Sequence, residues 1–124
     1  VLRSDSLELV SEKDDYVSRG GHKLAHALSA FCINPDGLDC VDVGASTGGF
    51  TDCLLQNRAL TVTTIDVGYG ILHERLVNDA RVKVYERLNI RDAIATFDGK
   101  VFQLLVADLS FISLRLVLED LVAL

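Results

Sequence analysis

The chain reads Asp42-Val43-Gly44-Ala45-Ser46-Thr47-Gly48-Gly49-Phe50 at its most informative point, with three glycines within six residues. Residues 38–43 before this stretch predict a strand, and residues 50–57 after it predict a helix. Glycines at such a bend let the backbone turn tightly and let a ligand approach without interference from a Cβ atom. Since ordinary turns seldom need three glycines, the stretch indicates a ligand-binding loop between a strand and a helix.

The rest of the chain continues this alternation of strands and helices. Further strands are predicted at residues 61–66, 82–86 and 101–107, and further helices at residues 21–32, 71–78, 92–97 and 114–122. The alternation implies βαβ units, a mostly parallel sheet and helices on both of its faces. We expect residues 101–107 to form a strand that is buried on both faces. The acidic segment at residues 1–15 predicts a linker or the tail of an upstream domain.

Composition and charge narrow the class of protein. The 124 residues are 49% apolar and 24% charged, which excludes disorder, collagen-like repeats and coiled coil as the main state. No apolar run approaches the ~18 residues of a membrane span, so an integral membrane protein is not expected. The net charge of −6 argues mildly against a domain whose whole surface grips nucleic acid. The chain contains no Met, starts at Val1 and ends on an apolar run, so we expect a fragment.

The thiols and imidazoles give no metal-binding signature. Cys32, Cys40 and Cys53 are odd in number and lack the paired spacing of a zinc site or a disulfide framework. We therefore expect buried thiols in a cytoplasmic protein. His22 and His26 stand four residues apart, as in a helical metal pair, but no third ligand lies nearby in the sequence. The sequence predicts no metal.

The glycine pattern distinguishes between ligand classes. It is neither the G-x-G-x-x-G of dinucleotide-binding loops nor a phosphate-binding loop ending in Gly-Lys-Ser/Thr, which argues against an NAD-dependent dehydrogenase. It fits an acid-x-Gly loop for a nucleoside ligand without phosphates, namely S-adenosylmethionine. Asp42 would then hold the amino group of the ligand, directly or through water. The alternative is a plain strand-to-helix turn.

Two further polar residues follow predicted strands. Asp66 ends the second strand, 17 residues after Gly49, where an acid in this topology accepts hydrogen bonds from ribose hydroxyls. Its alternative role is a turn or helix-capping carboxylate. Asn89 follows the third strand, where the adenine edge would lie, although Asn is also a common loop residue.

A carboxylate and a lysine are the catalytic candidates. Asp108 follows the apolar Leu104–Ala107 and would point into the ligand crevice. Burial there would raise its pKa, unless a cation such as a lysine compensates; the alternative is a helix cap. Lys23 lies in the stretch 16–35, which has no acidic residue but contains Arg19. A partly desolvated lysine near another cation can act as a base, although most surface lysines are solvated charges.

Five stretches together resemble the TlyA (haemolysin A) family, which belongs with the FtsJ-like ribosomal RNA 2′-O-methyltransferases. They are Tyr16-Val17-Ser18-Arg19-Gly20-Gly21-His22-Lys23-Leu24, the glycine stretch extended to Thr51-Asp52, Asp66-Val67-Gly68-Tyr69-Gly70, Glu86-Arg87-Leu88-Asn89-Ile90-Arg91 and Asp108-Leu109-Ser110-Phe111-Ile112-Ser113-Leu114. The resemblance covers residues 16–124 in order. Residues 1–15 resemble the end of an S4-type RNA-binding domain.

The resemblance implies a Rossmann-like α/β fold that is dependent on S-adenosylmethionine, with the last strands of the sheet missing from this chain. Residues 16–124 would be the N-terminal part of the methyltransferase domain. The implied cofactor-binding residues are Asp42, Gly44, Ala45, Ser46, Thr47, Gly48, Gly49, Phe50, Asp66, Val67 and Asn89. Asp66 would contact the ribose, and Asn89 would lie near the adenine.

The resemblance also implies a mechanism and a partner. The family uses a Lys-Asp-Lys-Glu tetrad around the target 2′-hydroxyl, and Lys23 and Asp108 match its first two members. The second lysine and the glutamate are expected beyond Leu124. The implied partner is ribosomal RNA or a ribosomal subunit. The alternatives are a catalytically incomplete nucleoside- or RNA-binding module and a membrane-active haemolysin.

Overall fold

A computed structural model describes residues 16–108 of the chain. Eight elements alternate along it: α1 (Gly20–Ala30), β1 (Asp39–Val43), α2 (Gly49–Gln56), β2 (Thr61–Ile65), α3 (Glu74–Val77), β3 (Val82–Tyr85), α4 (Ile90–Thr96) and β4 (Leu104–Ala107). The four strands form one sheet in the order β3-β2-β1-β4, and all three neighbouring pairs are parallel. The predicted segment at residues 1–15 and the predicted helix at residues 114–122 lie outside the described residues.

The sheet has a hydrophobic core on each face. One core joins α1, α2 and α3 to the strands through buried side chains such as Leu24, Leu54 and Leu76. The other contains Val41, Val43, Ile65 and Ala93 of α4. The predicted mostly parallel sheet with helices on both faces is thereby confirmed.

Several predicted boundaries were wrong. The fourth strand starts at Leu104 rather than at residue 101, and Val101 before it is exposed. Only Val106 of this strand is buried, so the prediction that it is buried on both faces was wrong for the described part of the chain. The helix predicted at residues 71–78 is only the four-residue α3.

The C-terminal end of α1 also differs from the prediction. Phe31, which lies inside the predicted helix 21–32, ends α1 as its C-cap and is 73% exposed. Cys32 follows with φ at 55° and is exposed, whereas Cys40 and Cys53 are buried as predicted.

The strand register brings several of the predicted site residues to one edge of the sheet. Val43, the last residue of β1, pairs with Ile65 at the end of β2 and with Ala107 at the end of β4. The residues that follow these three positions therefore share the carboxyl edge of the sheet, where parallel α/β folds bind ligands. Within residues 16–108, no helix is both long and apolar enough to cross a membrane.

Candidate functional site

A cleft of about 560 Å³ opens at the carboxyl edge of the sheet. Its walls come from the segment before α1, the glycine stretch, the end of β2 and the residues that follow β3 and β4. The predicted site residues that line it are Asp42, Gly44, Ala45, Ser46, Thr47, Gly49, Phe50, Asp66, Val67, Asn89 and Asp108. Gly48 and Lys23 are the two predicted site residues that do not line it.

The loop between β1 and α2 adopts a conformation that explains two of its glycines. Gly44 and Gly48 have φ angles of 77° and 102°, in the left-handed region that favours glycine. A Cβ atom on Gly48 would also lie 2.2 Å from Cδ1 of Leu76. Gly48 thus serves the turn and its packing against the residues around α3, and its contact with a ligand stays a prediction.

Gly49, the third glycine of the loop, lies in a close contact between two helices. A Cβ atom there would lie 2.2 Å from Ser18 Oγ and 2.8 Å from the backbone nitrogen of Gly21. The N-terminus of α2 therefore touches the N-terminus of α1 directly, and this contact brings Ser18 to the wall of the cleft.

Asp66 ties the glycine loop to the end of β2. Its Oδ2 accepts a hydrogen bond from the backbone N–H of Ser46 at 2.6 Å, and its Oδ1 accepts one from the N–H of Gly68 at 2.8 Å. The second bond is the turn role that the sequence left open as an alternative. A carboxylate has about four acceptor positions, so two remain for a ligand in the cleft.

Asp42 is a buried carboxyl group on the floor of the cleft. It is only 1% exposed, and its Oδ2 accepts a hydrogen bond of 2.7 Å from the Thr51 hydroxyl. Burial, with smaller contributions from the nearby carboxylates of Asp66 and Asp108, raises the pKa of Asp42 to about 7, against the hydrogen bonds from Thr51. No cation within the described part of the chain pairs with it, so a cationic ligand beside it would favour its charged form.

Lys23 and Asp108 meet at the cleft although 85 residues separate them. Lys23 Nζ lies 3.4 Å from Asp108 Oδ1. The two side chains are 67% and 45% exposed, so the predicted burial of the aspartate and desolvation of the lysine are not observed in residues 16–108. The predicted pairing of the two groups is observed.

Asn89 and Val67 border the other end of the cleft. Asn89 is the N-cap of α4, and its Oδ1 accepts a hydrogen bond of 2.8 Å from the N–H of Asp92. The side-chain amide of Asn89 still faces solvent beside the cleft, since the residue is exposed. Val67 is 72% exposed, which leaves its side chain available to an apolar ring.

Two polar residues of α2 were missed at the level of sequence. Thr51 donates to Asp42, and Asp52, which is 4% exposed, accepts hydrogen bonds from Val17, Gln56 and Arg75. The signal that could have found them is their place in the first turn of a helix that follows a glycine loop, where short polar side chains reach backwards.

The described residues show no group that could hold a metal. Among residues 16–108, no three His, Cys, Asp or Glu side chains come together in a metal-binding arrangement. His22 and His26 are both exposed on α1.

Comparisons with known proteins place this cleft in a known context. Residues 16–124 match the family model described as FtsJ-like methyltransferase. The chain is 54% identical over 98% of its length to "16S/23S rRNA (cytidine-2'-O)-methyltransferase TlyA" of Mycobacterium tuberculosis, of which it covers 46%. It is 43% identical over 90% of its length to "Hemolysin A" of Brachyspira hyodysenteriae, of which it also covers 46%.

The fold of the chain is also similar to that of a solved structure. The chain matches "Putative hemolysin from Streptococcus thermophilus" with a TM-score of 0.84 and 44% sequence identity, over 91% of this chain and 42% of that one. The chain thus spans less than half the length of each of these relatives.

Proposed function

We propose the function from one premise, which is that the chain belongs to the FtsJ-like methyltransferase family. The full-length protein is then an S-adenosylmethionine-dependent enzyme that methylates a ribose 2′-hydroxyl of ribosomal RNA. The observation that carries this proposal is the contact between Lys23 and Asp108 beside a nucleoside-sized cleft. The Mycobacterium tuberculosis relative supports the substrate, because it is named an rRNA (cytidine-2'-O)-methyltransferase.

The cleft fits S-adenosylmethionine in size and charge. Its volume of about 560 Å³ lies within the ~300–1,000 Å³ of small-molecule sites. The ligand is cationic at its ammonium and sulfonium groups, and the cleft is lined by the carboxyl groups of Asp42, Asp66 and Asp108. When bound, the cofactor supplies an activated methyl group on its sulfonium.

The predicted polar binding residues, Val67 and the loop backbone each have a task in this proposal. Asp42 holds the ammonium group, and Asp66 uses its remaining acceptor positions for the ribose hydroxyls. Asn89 and Val67 border the adenine. The backbone of the glycine loop lies against the ligand, because its tight turn leaves no side chain in the way at Gly44.

The Lys23–Asp108 pair acts on the RNA. We assign it two tasks, which are to orient the target 2′-hydroxyl and to remove the proton from its oxygen as that oxygen attacks the methyl group. Methyl transfer needs the oxygen in line with the bond that breaks, so positioning contributes much of the acceleration. The exposure of both side chains leaves them accessible to a large substrate.

The charge distribution is compatible with RNA at this side of the molecule. The stretch 16–35 has no acidic residue and presents Arg19 and Lys23 as exposed cations. The net charge of −6 belongs to the chain as a whole, and three of its acidic residues line the cleft rather than the outer surface. Phosphates can therefore approach α1 without meeting like charges from its own residues.

The test is methyl transfer from labelled S-adenosylmethionine to ribosomal RNA by the full-length protein. Lys23→Ala and Asp108→Ala should each lower kcat/KM by about 100-fold or more, the range of general acid–base groups. Ser29→Ala, an exposed position further along α1, is the matched control and should retain wild-type activity. If the wild type binds the cofactor but transfers no methyl group, the chain is a nucleoside- or RNA-binding module and the proposal fails.

A further inference from the structure

Asp52 lies where three separate segments of the chain meet. Its Oδ2 accepts hydrogen bonds from the backbone N–H of Val17 and from Arg75 Nη2, both at 2.8 Å. Its Oδ1 accepts a third from Gln56 Nε2 at 3.2 Å. The side chain of Asp52 is 5% exposed and that of Arg75 is 57% exposed, so a buried carboxylate is paired with a partly exposed guanidinium group. Asp52 does not line the cleft, so it cannot touch a ligand there.

The first segment that Asp52 holds is a wall of the cleft. Val17 directly precedes Ser18, which lines the cleft together with Gly20, the first residue of α1. Lys23 follows one turn later on the same helix. The hydrogen bond from Val17 therefore fixes the point at which the chain enters α1, and with it the direction in which Lys23 leaves the helix.

The second segment reaches the glycine loop. Arg75 is in α3, and its backbone N–H donates to Nδ1 of His73 at 3.0 Å. The N–H of His73 in turn donates to the carbonyl oxygen of Thr47 at 3.0 Å, and Thr47 lines the cleft. The ion pair of Asp52 and Arg75 thus links the wall before α1 to the glycine loop.

We propose that Asp52 is a positioning residue, which holds Ser18 and Lys23 in register with the glycine loop. This inference rests on the proposed function for its effect on methyl transfer. A buried carboxylate that accepts three hydrogen bonds has little freedom to move, so the groups bound to it are held in one arrangement. Two donors converge on a single oxygen, and one of them is the cation of Arg75, so the charge of the carboxylate strengthens that bond.

The variant Asp52→Asn tests this in the full-length protein. It keeps the volume of the side chain but removes its negative charge, so Arg75 loses its ionic partner, and it replaces one of the two acceptor oxygens with an NH₂ group. We expect kcat for methyl transfer to fall by about tenfold or more, and the Kd for S-adenosylmethionine to rise by about threefold or more. Hydrogen exchange of the amides at residues 17–20 should speed up by about tenfold, while the amides of β1 stay protected.

Two companion variants make the result specific. Arg75→Gln removes the cation from the same cluster, and its effect combined with Asp52→Asn should be smaller than the product of the two single effects. Asp36→Asn, which removes a carboxylate that pairs with Arg58 near the start of β1, is the control and should change none of these quantities.

The outcomes separate this inference from the proposed function. If Asp52→Asn lowers only the melting temperature, and kcat, Kd and local exchange are unchanged well below it, Asp52 is merely structural and the inference is overturned. If the wild type transfers no methyl group, the proposed function fails, while cofactor affinity and exchange at residues 17–20 still decide the role of Asp52.

Discussion

At the scale of single residues, Asp42 carries a buried carboxyl group in the cleft. A charge taken from water into a protein interior is strongly disfavoured unless a cation or several donors accompany it. Asp42 has the Thr51 hydroxyl but no cation within residues 16–108, and its pKa is raised to about 7. The ionisation of Asp42 therefore lowers the free energy of unfolding as the pH reaches neutrality. A bound cationic ligand would stabilise the charged form and offset this loss.

Asp42→Asn should reveal this cost as a function of pH. A pKa raised from 3.8 to about 7 means that the folded state binds more protons than the unfolded state between these values. The stability contributed by protonated Asp42 is present below pH 4 and is lost as pH rises through about 7. Without cofactor, the variant should be only slightly changed at pH 4 and stabilised relative to wild type at pH 8, by at most about 4 kcal/mol.

The measurement is denaturant unfolding of the full-length protein at several pH values. Asp79→Asn serves as the control, because hydrogen bonds from Arg81 lower the pKa of Asp79 and its effect should be constant above pH 5. A stability difference for Asp42→Asn that does not change between pH 5 and pH 8 would contradict the account.

Residue types alone predicted the acids of the cleft but not their partners. Asp42 lies next to the end of its predicted strand, Asp66 ends the next one and Asp108 follows the last; parallel strands end at one edge, so their convergence was predictable. The bond between Thr51 and Asp42 depends on which side of α2 faces β1. Successive residues of a helix point about 100° apart, and the hydrophobic pattern did not show which polar side chain faces the strand.

At the scale of elements, the contact between α1 and α2 shapes the cleft. Both helices begin with glycine, and Gly49 meets the backbone around Gly20 and Gly21. Such a close approach brings the segment before α1 against the glycine loop. The sequence suggested that the glycines served a turn and a ligand; Gly49, which lines the cleft, also serves helix packing.

Gly49→Ala should therefore destabilise the protein. Its Cβ atom would lie 2.2 Å from Ser18 Oγ and 2.8 Å from the nitrogen of Gly21, and the latter atom is backbone that cannot rotate away. We expect a loss of about 2 kcal/mol, typical of overpacking. Gly20→Ala is the matched control, since its Cβ would meet Phe50 at an ordinary 3.4 Å.

Thermal and denaturant unfolding of the two full-length variants checks this prediction. Gly20→Ala should remain within about 0.5 kcal/mol of wild type. Equal stability of both variants would show that the close helix contact is not a constraint.

The boundaries of elements were predictable where the pattern was strong. β1 and β2 differ from their predicted ranges by one residue at one end, because β-branched residues dominate β2 and the glycine loop ends β1. α3 is shorter than predicted, since residues 71–73 form a connection in which the His73 side chain caps the helix. Local capping overrode the apolar periodicity at that point.

For the whole molecule, the meeting of Lys23 and Asp108 is the feature that no local pattern could predict. For each of the two residues, the sequence alone left both a catalytic role and an ordinary structural or solvated role open. Only the resemblance to the TlyA family paired them. The fold then places them 3.4 Å apart, because α1 packs against α2 and β4 lies beside β1. The chain covers less than half of its relatives, so the remaining members of the implied tetrad stay predictions.

The identity of the methylated nucleoside tests the central claim most directly. Ribosomal RNA treated with the full-length protein and labelled S-adenosylmethionine would be digested to nucleosides and analysed by mass spectrometry. The account predicts label on the ribose, as a 2′-O-methylnucleoside, and its loss in Lys23→Ala. Label on a base, or 2′-O-methylation that persists undiminished in Lys23→Ala, would contradict it.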